Sequence, residues 1–565
     1  MTGGLRWFLA LGVILYVILV TYNSSARTRL YTSDSLNYVD VARNLSSGRG
    51  LVQSTLGFNQ PHLFDEDSKI PVPFTSQAPL YPILIAAASH LGIEHADAAF
   101  VITGIAYGLV LLVAYHLART LYDERVAMLS VGALLVYGPM FFIARVAGTE
   151  PVGILWVLVS LLLLVRFRNT AEEPHRMAAC FLCGMTIGLA FVTRYALLVS
   201  LPLALLFLAI ESRGLGKALR NLGLCLVGFC LPALPVLAHN FAATGSFASG
   251  SLPSDLGFAT NLQDALSAVF GSSPLFGEAG PFPIDSTTQL VLALSISLAI
   301  GIFLLARRRF GELWRILIEN GRWLLLAWSL GYLCFLLCWR TLFHFDRLSA
   351  RLISPAAVTL MILAIAIMVR ALGGTQRKWP FYLTFVLLAV AVGREIFVVY
   401  LLPADSDELR AARSERLRWI QQHITHDDLI IGTDVVDVVF YLGRPAAVSF
   451  SEYPYTEYLQ YEKLVSYIRR NCADYDHFYL IVRDHTWLEG DLGYRFGGFV
   501  SDLLAGNLDA YPDILFLTRT DEGPVFRMLT CELGKSGAEN VARLNEPCPE
   551  VSPEQVEGLV EGACP

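Results

Sequence analysis

Ionisable side chains are scarce in this chain, and several stand at the ends of long apolar runs. Asp34 and Asp40 follow the first run. Glu150 lies in Arg145-Val-Ala-Gly-Thr-Glu-Pro151, where another run begins, and Arg194 separates two runs in Val192-Thr-Arg-Tyr195. His344, Asp346, Arg347 and Arg351 share one short polar stretch. Charges bordering hydrocarbon are costly and are usually functional or paired. Carboxylates that face arginines suit the transfer of a sugar from a lipid phosphate. A carboxylate takes the proton of an attacking hydroxyl, and guanidinium groups stabilise the departing phosphate.

Each residue also has a plainer explanation. Arg194 and Arg351 could snorkel to headgroups, and Glu150 could be an acid favoured by a helix start. Asp346 and Arg347 could be a solvated pair, and His344 a structural residue. Asp65-Glu66-Asp67 is a surface acidic cluster, with metal binding the lesser alternative. No His/Cys set has zinc spacing, and no Gly-rich phosphate loop follows a strand.

The elements that must carry these residues follow from composition. The chain has 565 residues, 55% apolar and 16% charged, where soluble domains carry about 25% charged residues. Long apolar runs recur from Leu5 to Tyr400, which predicts a polytopic membrane protein. The net charge of −7 excludes a generally basic nucleic-acid binder. The first run, 5–22, follows Arg6 and has no small-residue cleavage site after it, so it reads as a retained anchor. Further spans are expected at 98–118, 126–143, 151–165, 178–193, 196–211, 221–238, 288–305, 322–338, 352–370 and 380–402, eleven in all. Pro79–Gly92 is too short to cross and opens with Pro, so it is expected to be interfacial or re-entrant.

Orientation follows from the basic loops. Arg119 and Arg125; Arg166, Arg168 and Arg176; Arg213, Lys217 and Arg220; Arg307 to Arg309 and Arg315; and Arg370, Arg377 and Lys378 all fall on one side. The loop from His239 to Thr288 has no Lys or Arg. The N-terminus is therefore expected in the cytoplasm, with Asp34, Glu150, Arg194, His344, Arg347 and Arg351 at the outer face of the cell (inner) membrane. Thr32–Gly50 reads as a short amphipathic surface helix, with Leu36, Val39 and Leu45 about a turn apart and Gly48 as C-cap.

Residues 403–565 read as a separate extracytoplasmic α/β domain with a loosely ordered end. Strands are expected at Leu429–Thr433, Ala446–Phe450, Phe478–Val482 and Ile514–Thr518. Helical patterns at Leu409–Ile424, Tyr455–Arg470 and Tyr494–Ala505 alternate with them, which suggests a mainly parallel sheet. Of ten cysteines, six lie in apolar runs and read as packing residues, the Cys180/Cys183 spacing included. Cys472, Cys531, Cys548 and Cys564 lie in the outer domain, where one or two disulfides are expected.

Several motifs carry a family resemblance. Asp34-Ser-Leu-Asn-Tyr38, Ala42-Arg-Asn-Leu45 and Gly48-Arg-Gly50, then Ala78-Pro-Leu-Tyr-Pro82, resemble the first outer loop of GT-C glycosyltransferases. The group is the family 39 type, which includes protein mannosyltransferases and lipid A aminoarabinose transferases. Tyr115–Tyr122, Gly148–Pro151, Gly188–Arg194 and Arg351–Pro355 add to the resemblance. Together these motifs span most of the first 200 or so residues and one later loop. The resemblance implies Asp34 and Glu150 as the catalytic acids. The substrate-binding set is Tyr38, Asp40, Tyr81, Arg194, His344, Arg347 and Arg351. The family's Pro-Pro-Leu is Ala78-Pro-Leu80 here, and Gln77 stands where the aminoarabinose enzymes carry Lys. The resemblance therefore does not extend to their donor or acceptor.

The expected protein is an α-helical polytopic membrane enzyme, with a GT-C-type domain at 1–402 and an α/β domain at 403–565. It would move a monosaccharide from a polyprenyl-phosphate donor to an extracytoplasmic acceptor, which could be glycolipid, polysaccharide or protein. Its partners would be that donor, membrane lipids and the acceptor, with no nucleic acid. The sequence identifies no cofactor, and a divalent metal stays open. The alternative from a different class is a non-enzymatic transporter or binder of lipid-linked saccharides. Transporters favour internal repeats and polar residues at mid-membrane, whereas this chain gathers its charges at one face.

Overall fold

The computed structural model describes residues 3–57, 70–212, 214–247, 257–270, 319–343, 348–371, 379–401, 411–433, 436–443, 446–450, 461–482, 502–503, 505–520 and 523–531. Two compact units divide them. The first takes everything through Arg413 together with Val436–Gly443; the second takes 414–433 and the described segments from 446 onward.

The first unit is helical. In chain order it holds α1 (Gly3–Asn23), α2 (Ser33–Ser46), α3 (Leu80–Ser89), α4 (His95–Leu121), α5 (Glu124–Val136) and α6 (Gly138–Arg145). These are followed by α7 (Glu150–Asn169), α8 (Glu173–Thr193), α9 (Ser200–Glu211), α10 (Leu215–Thr244) and α11 (Phe258–Phe270). The unit closes with α12 (Trp323–Leu342), α13 (Ala350–Ala371) and α14 (Trp379–Ile396). Among the described residues eight helices are long and apolar enough to cross a membrane, or nine if α5 and α6, bent by 64°, form one broken span. Of the other two expected spans, one is the shorter apolar helix Tyr195–Glu211, and 288–305 lies outside the described residues. α3 has 10 residues. At 1.5 Å per residue it reaches about half the thickness of the hydrocarbon core.

α7 is apolar on every side and lies at the centre, with α4, α8 and α13 around it. α8 and α10 run close together because glycines line their contact. A Cβ on Gly184 would overlap the Cys225 carbonyl, and one on Gly228 would overlap that of Phe181.

The bend between α5 and α6 has a covalent cause. Pro139 has no N–H, so the Leu135 carbonyl loses its intrahelical donor. Arg394 of α14 replaces it, donating from Nη2 to Leu135 O (2.7 Å) and from Nη1 to Val136 O (2.9 Å). Its guanidinium lies 3.8 Å over the Phe141 ring. Beside it Glu395 accepts from Asn23 Nδ2 (2.9 Å) and pairs with Arg145 Nη1 (3.6 Å). Arg394, Glu395 and Arg145 are all buried.

A short helix from far along the chain completes this unit. α16 (Val436–Leu442) packs on α2. Arg43 Nη1 donates to Phe440 O (3.1 Å), and Tyr31 meets the Phe440 ring at 5.0 Å.

In the second unit α15 (Glu415–His423) and α17 (Tyr461–Asn471) accompany a mixed sheet. Its strands are β3 (Leu429–Thr433), β4 (Ala446–Phe450), β5 (Phe478–Ile481), β6 (Ile514–Thr520) and β7 (Gly523–Met528). They lie in the order β4-β3-β5-β7-β6, with β1 (Val52–Gln53) and β2 (Val72–Pro73) forming a separate antiparallel pair in the first unit. β3 is parallel to β4 and β5, while β7 is antiparallel to β5 and β6. The expected parallel core is therefore present, and a hairpin extends its edge. Cys472 and Cys531 form a disulfide. Cys548, Cys564 and the helical pattern at 494–501 lie outside the described residues.

Candidate active site

Asp34 sits in the first turn of α2. Thr32 caps that helix: its Oγ1 accepts from the Ser35 N–H (3.2 Å), while its own N–H donates to Ser35 Oγ (2.9 Å). An acid there is favoured by the exposed N–H groups and the helix dipole. Ser35 Oγ also donates to Ala147 O (2.5 Å), and the Ala147 N–H donates to Leu30 O (3.3 Å). The stretch 146–149, which begins with a lone bridge between Val146 and Leu30, is thus fixed against the entry to α2. It leads directly to Glu150 in the first turn of α7.

Two arginines reach these acids from other helices. Arg351, the second residue of α13, donates from Nη2 to Asp34 Oδ2 (2.7 Å) and from Nε to Glu150 Oε1 (3.0 Å). A cation at a helix N-terminus opposes the dipole, and the two carboxylates offset that cost. Arg194, just past the end of α8, contacts the same Glu150 Oε1 through Nη1 and reaches Thr149 Oγ1 at 3.4 Å. Gln77 Nε2 donates to the remaining oxygen of Asp34, Oδ1, at 2.5 Å. The cluster is formally neutral. Its openings differ: the Asp34 side chain is 29% exposed and that of Glu150 4%. Glu150 Oε2 makes no hydrogen bond among the described residues and lies so near Gly148 that an added Cβ would stand 2.5 Å from it.

The other expected site residues divide. Tyr38 is buried beside the cluster, edge-on to Tyr81 at 5.4 Å. Burial, and then the Asp34 charge, push its hydroxyl above the ordinary phenol range, so it is a neutral donor. Asp40 and Tyr81 spend their polar atoms elsewhere. Asp40 accepts from Ser54 N (2.7 Å) and Ser54 Oγ (2.8 Å), closing the loop after α2. Burial raises its carboxyl above the usual range, against those hydrogen bonds. Tyr81 donates to Ala99 O (2.8 Å) and meets Thr103 Oγ1 (2.8 Å), fastening α3 to α4. His344 and Arg347 lie outside the described residues, as do Asp346 and Asp65-Glu66-Asp67. Among the described residues no group of three His, Cys, Asp or Glu could hold a metal ion. Gln77 and Thr149 were not expected at the cluster. The one mark on Gln77 in the sequence was that it replaces the Lys of a related group.

Comparison with known proteins agrees with this architecture. Residues 76–239 match the family model of dolichyl-phosphate-mannose-protein mannosyltransferases. The fold is similar to that of ArnT from Cupriavidus metallidurans bound to undecaprenyl phosphate, with a TM-score of 0.56. Identity there is 15%, over 93% of this chain and 98% of that one. The apo state of the same protein gives 0.56 at 14% identity, over 92% and 98%. The oligosaccharyltransferase AglB from Archaeoglobus fulgidus, in complex with an inhibitory peptide and a dolichol-phosphate, gives 0.45 at 12% identity, over 84% and 69%. No curated protein matches the chain by sequence. The chain is a multi-pass membrane protein that shares the fold of the ArnT structure.

Proposed function

From this fold and its charge cluster, we propose that the chain is a glycosyltransferase that takes a monosaccharide from a polyprenyl-phosphate donor and gives it to an acceptor hydroxyl at the extracytoplasmic face. The observation that carries the proposal is the convergence of Asp34, Glu150 and Arg351, from three separate helices, with Arg194 at the end of a fourth. The orientation rests on the Lys/Arg loops.

Asp34 is the more open acid and serves as base. It accepts the hydroxyl proton while the acceptor oxygen forms a bond to C1 of the sugar. The bond from C1 to the phosphate oxygen breaks, and its electron pair leaves with the polyprenyl phosphate. A single displacement inverts the anomeric carbon. Arg194 and Arg351 grip the phosphate oxygens through their planar forks, exchanging part of their contact with the carboxylates for the donor. Glu150, nearly closed off, keeps both guanidiniums aimed at one point. Tyr38 donates to the sugar or the phosphate.

The test is to incubate the purified full chain in nanodiscs with a panel of polyprenyl-phosphate sugars and candidate acceptors, and to identify products by mass spectrometry. One donor should be consumed with a new glycosidic bond in the product. Donor binding or translocation without any new bond would replace the enzyme with the transporter or binder.

A further inference from the structure

Asp34 is held by two donors of different kinds. Arg351 carries a charge that the donor phosphate will compete for, whereas Gln77 carries none. The Gln77 amide cannot flip, because that would set its Oε1 against a carboxylate oxygen. Its Oε1 is buried and has no hydrogen-bond partner among the described residues. The polar work of this side chain is thus directed at Asp34.

The backbone of Gln77 is braced from behind. Its carbonyl accepts from Tyr195 Oη (3.3 Å), which in turn accepts from Asn240 Nδ2 (3.2 Å) near the end of α10. A chain of hydrogen bonds therefore runs from α10 through Tyr195 and Gln77 to Oδ1 of Asp34.

We propose that Gln77 is a positioning residue for the transfer. Its N–H holds the Asp34 carboxylate in the attacking orientation while the donor phosphate draws Arg351 away. A neutral donor can do this without recruiting the phosphate itself. The proposal rests on Asp34 being the base.

The test is the pH profile of Gln77→Glu, measured as kcat relative to wild type on the full chain in nanodiscs. The new side chain has the same shape. Ionised, it repels Asp34; protonated, its O–H restores a donor. The groups facing this pair are Arg351, Glu150, Arg194, Tyr38 and Tyr195. They are shared by both proteins, so their titration largely cancels in the ratio. The ratio should be down by roughly ten- to a hundredfold above neutral pH, the scale of a hydrogen bond to a charged group, and should climb as pH falls. Donor KM should change little. If Gln77→Glu does not fold, Gln77→His and Gln77→Met replace it, compared above neutral pH: His, whose neutral ring offers an Nε2–H at a similar reach, should keep most of the rate and Met should lose it. A pH-independent ratio, or equal rates for His and Met, would overturn the positioning role while leaving the transfer intact. A wild type without transfer overturns the underlying reading and this proposal with it.

Discussion

Two clusters of charge lie inside the helical unit, and they are built from the same residue types. One joins Asp34 and Glu150 to Arg194 and Arg351; the other joins Glu395 to Arg145, with Arg394 and Asn23 beside it. In the first, the arginines are 15% exposed and their donors go to carboxylates, which a ligand anion can replace. In the second, Arg145 and Glu395 are 3% and 0% exposed, and Arg394 donates to the backbone carbonyls of Leu135, which Pro139 leaves free, and of Val136. Burying a charge in a membrane protein is therefore no sign of a site in itself. What separates the two is whether the donors are committed to the fold or to groups that can let go.

Substitutions can break this contrast. Asp34→Asn keeps the size of the side chain and removes the base, and should cost at least about a hundredfold in transfer rate, with donor binding and thermal stability close to wild type. Glu150→Gln should be the next most damaging change within that cluster. Glu395→Ala should act the other way round. It strands Arg145 in a buried site, for a loss of about 3–5 kcal/mol in stability, visible as a lower melting temperature and a lower yield of folded protein, while the folded fraction transfers normally. An activity defect without destabilisation would place the second cluster in the reaction.

Arg194→Lys sharpens the first cluster. Lys keeps the charge but not the planar fork, so a loss of around tenfold or more is expected on the scale of one hydrogen bond to a charged group, read from steady-state rates. Normal turnover would reduce Arg194 to a snorkelling residue.

Asp40→Asn should be the mildest. Asp40 lies on α2 with Asp34, yet six residues at 100° each place it about 240° around the helix, on Ser54. The rate should change by less than about tenfold. Because burial raises the native carboxyl, the stability that Asp40 contributes is full below the ordinary carboxyl range and is lost as pH rises through the raised native value. Asp40→Asn should remove that part of the pH dependence of thermal unfolding.

That helix also shows where sequence reasoning ends. The type and rough position of Asp34, Glu150, Arg194 and Arg351 were legible, because charges at the ends of apolar runs are rare and the Lys/Arg loops put these four on one face. Their side-chain directions are not legible, and that is why the sequence does not separate them from Asp40 and Tyr81, which the fold uses for loop closure and helix docking. The Arg145–Glu395 pair is invisible in the sequence for a related reason. Its members are 250 residues apart, and the need for Arg394 arises only once Pro139 breaks a helix. α16 leaves no mark in the sequence, because seven residues hold too little periodicity to signal a helix, and its partner Arg43 gives no sign of the contact. β7 is hard to tell from its hairpin partner in the sequence, which is why the pattern predicts a more parallel sheet than the one that forms.

The central claim is that the Asp34–Glu150–Arg194–Arg351 cluster is a phosphate site with acids attached, and it can be tested without knowing the acceptor. The measurement is the affinity of polyprenyl phosphate for the full chain in nanodiscs, wild type against Arg351→Gln, with melting temperatures taken in parallel. The affinity should fall by at least about tenfold, the equivalent of one hydrogen bond to a charged group, in a protein that still melts near the wild-type temperature. Equal affinity in the two proteins would contradict the account.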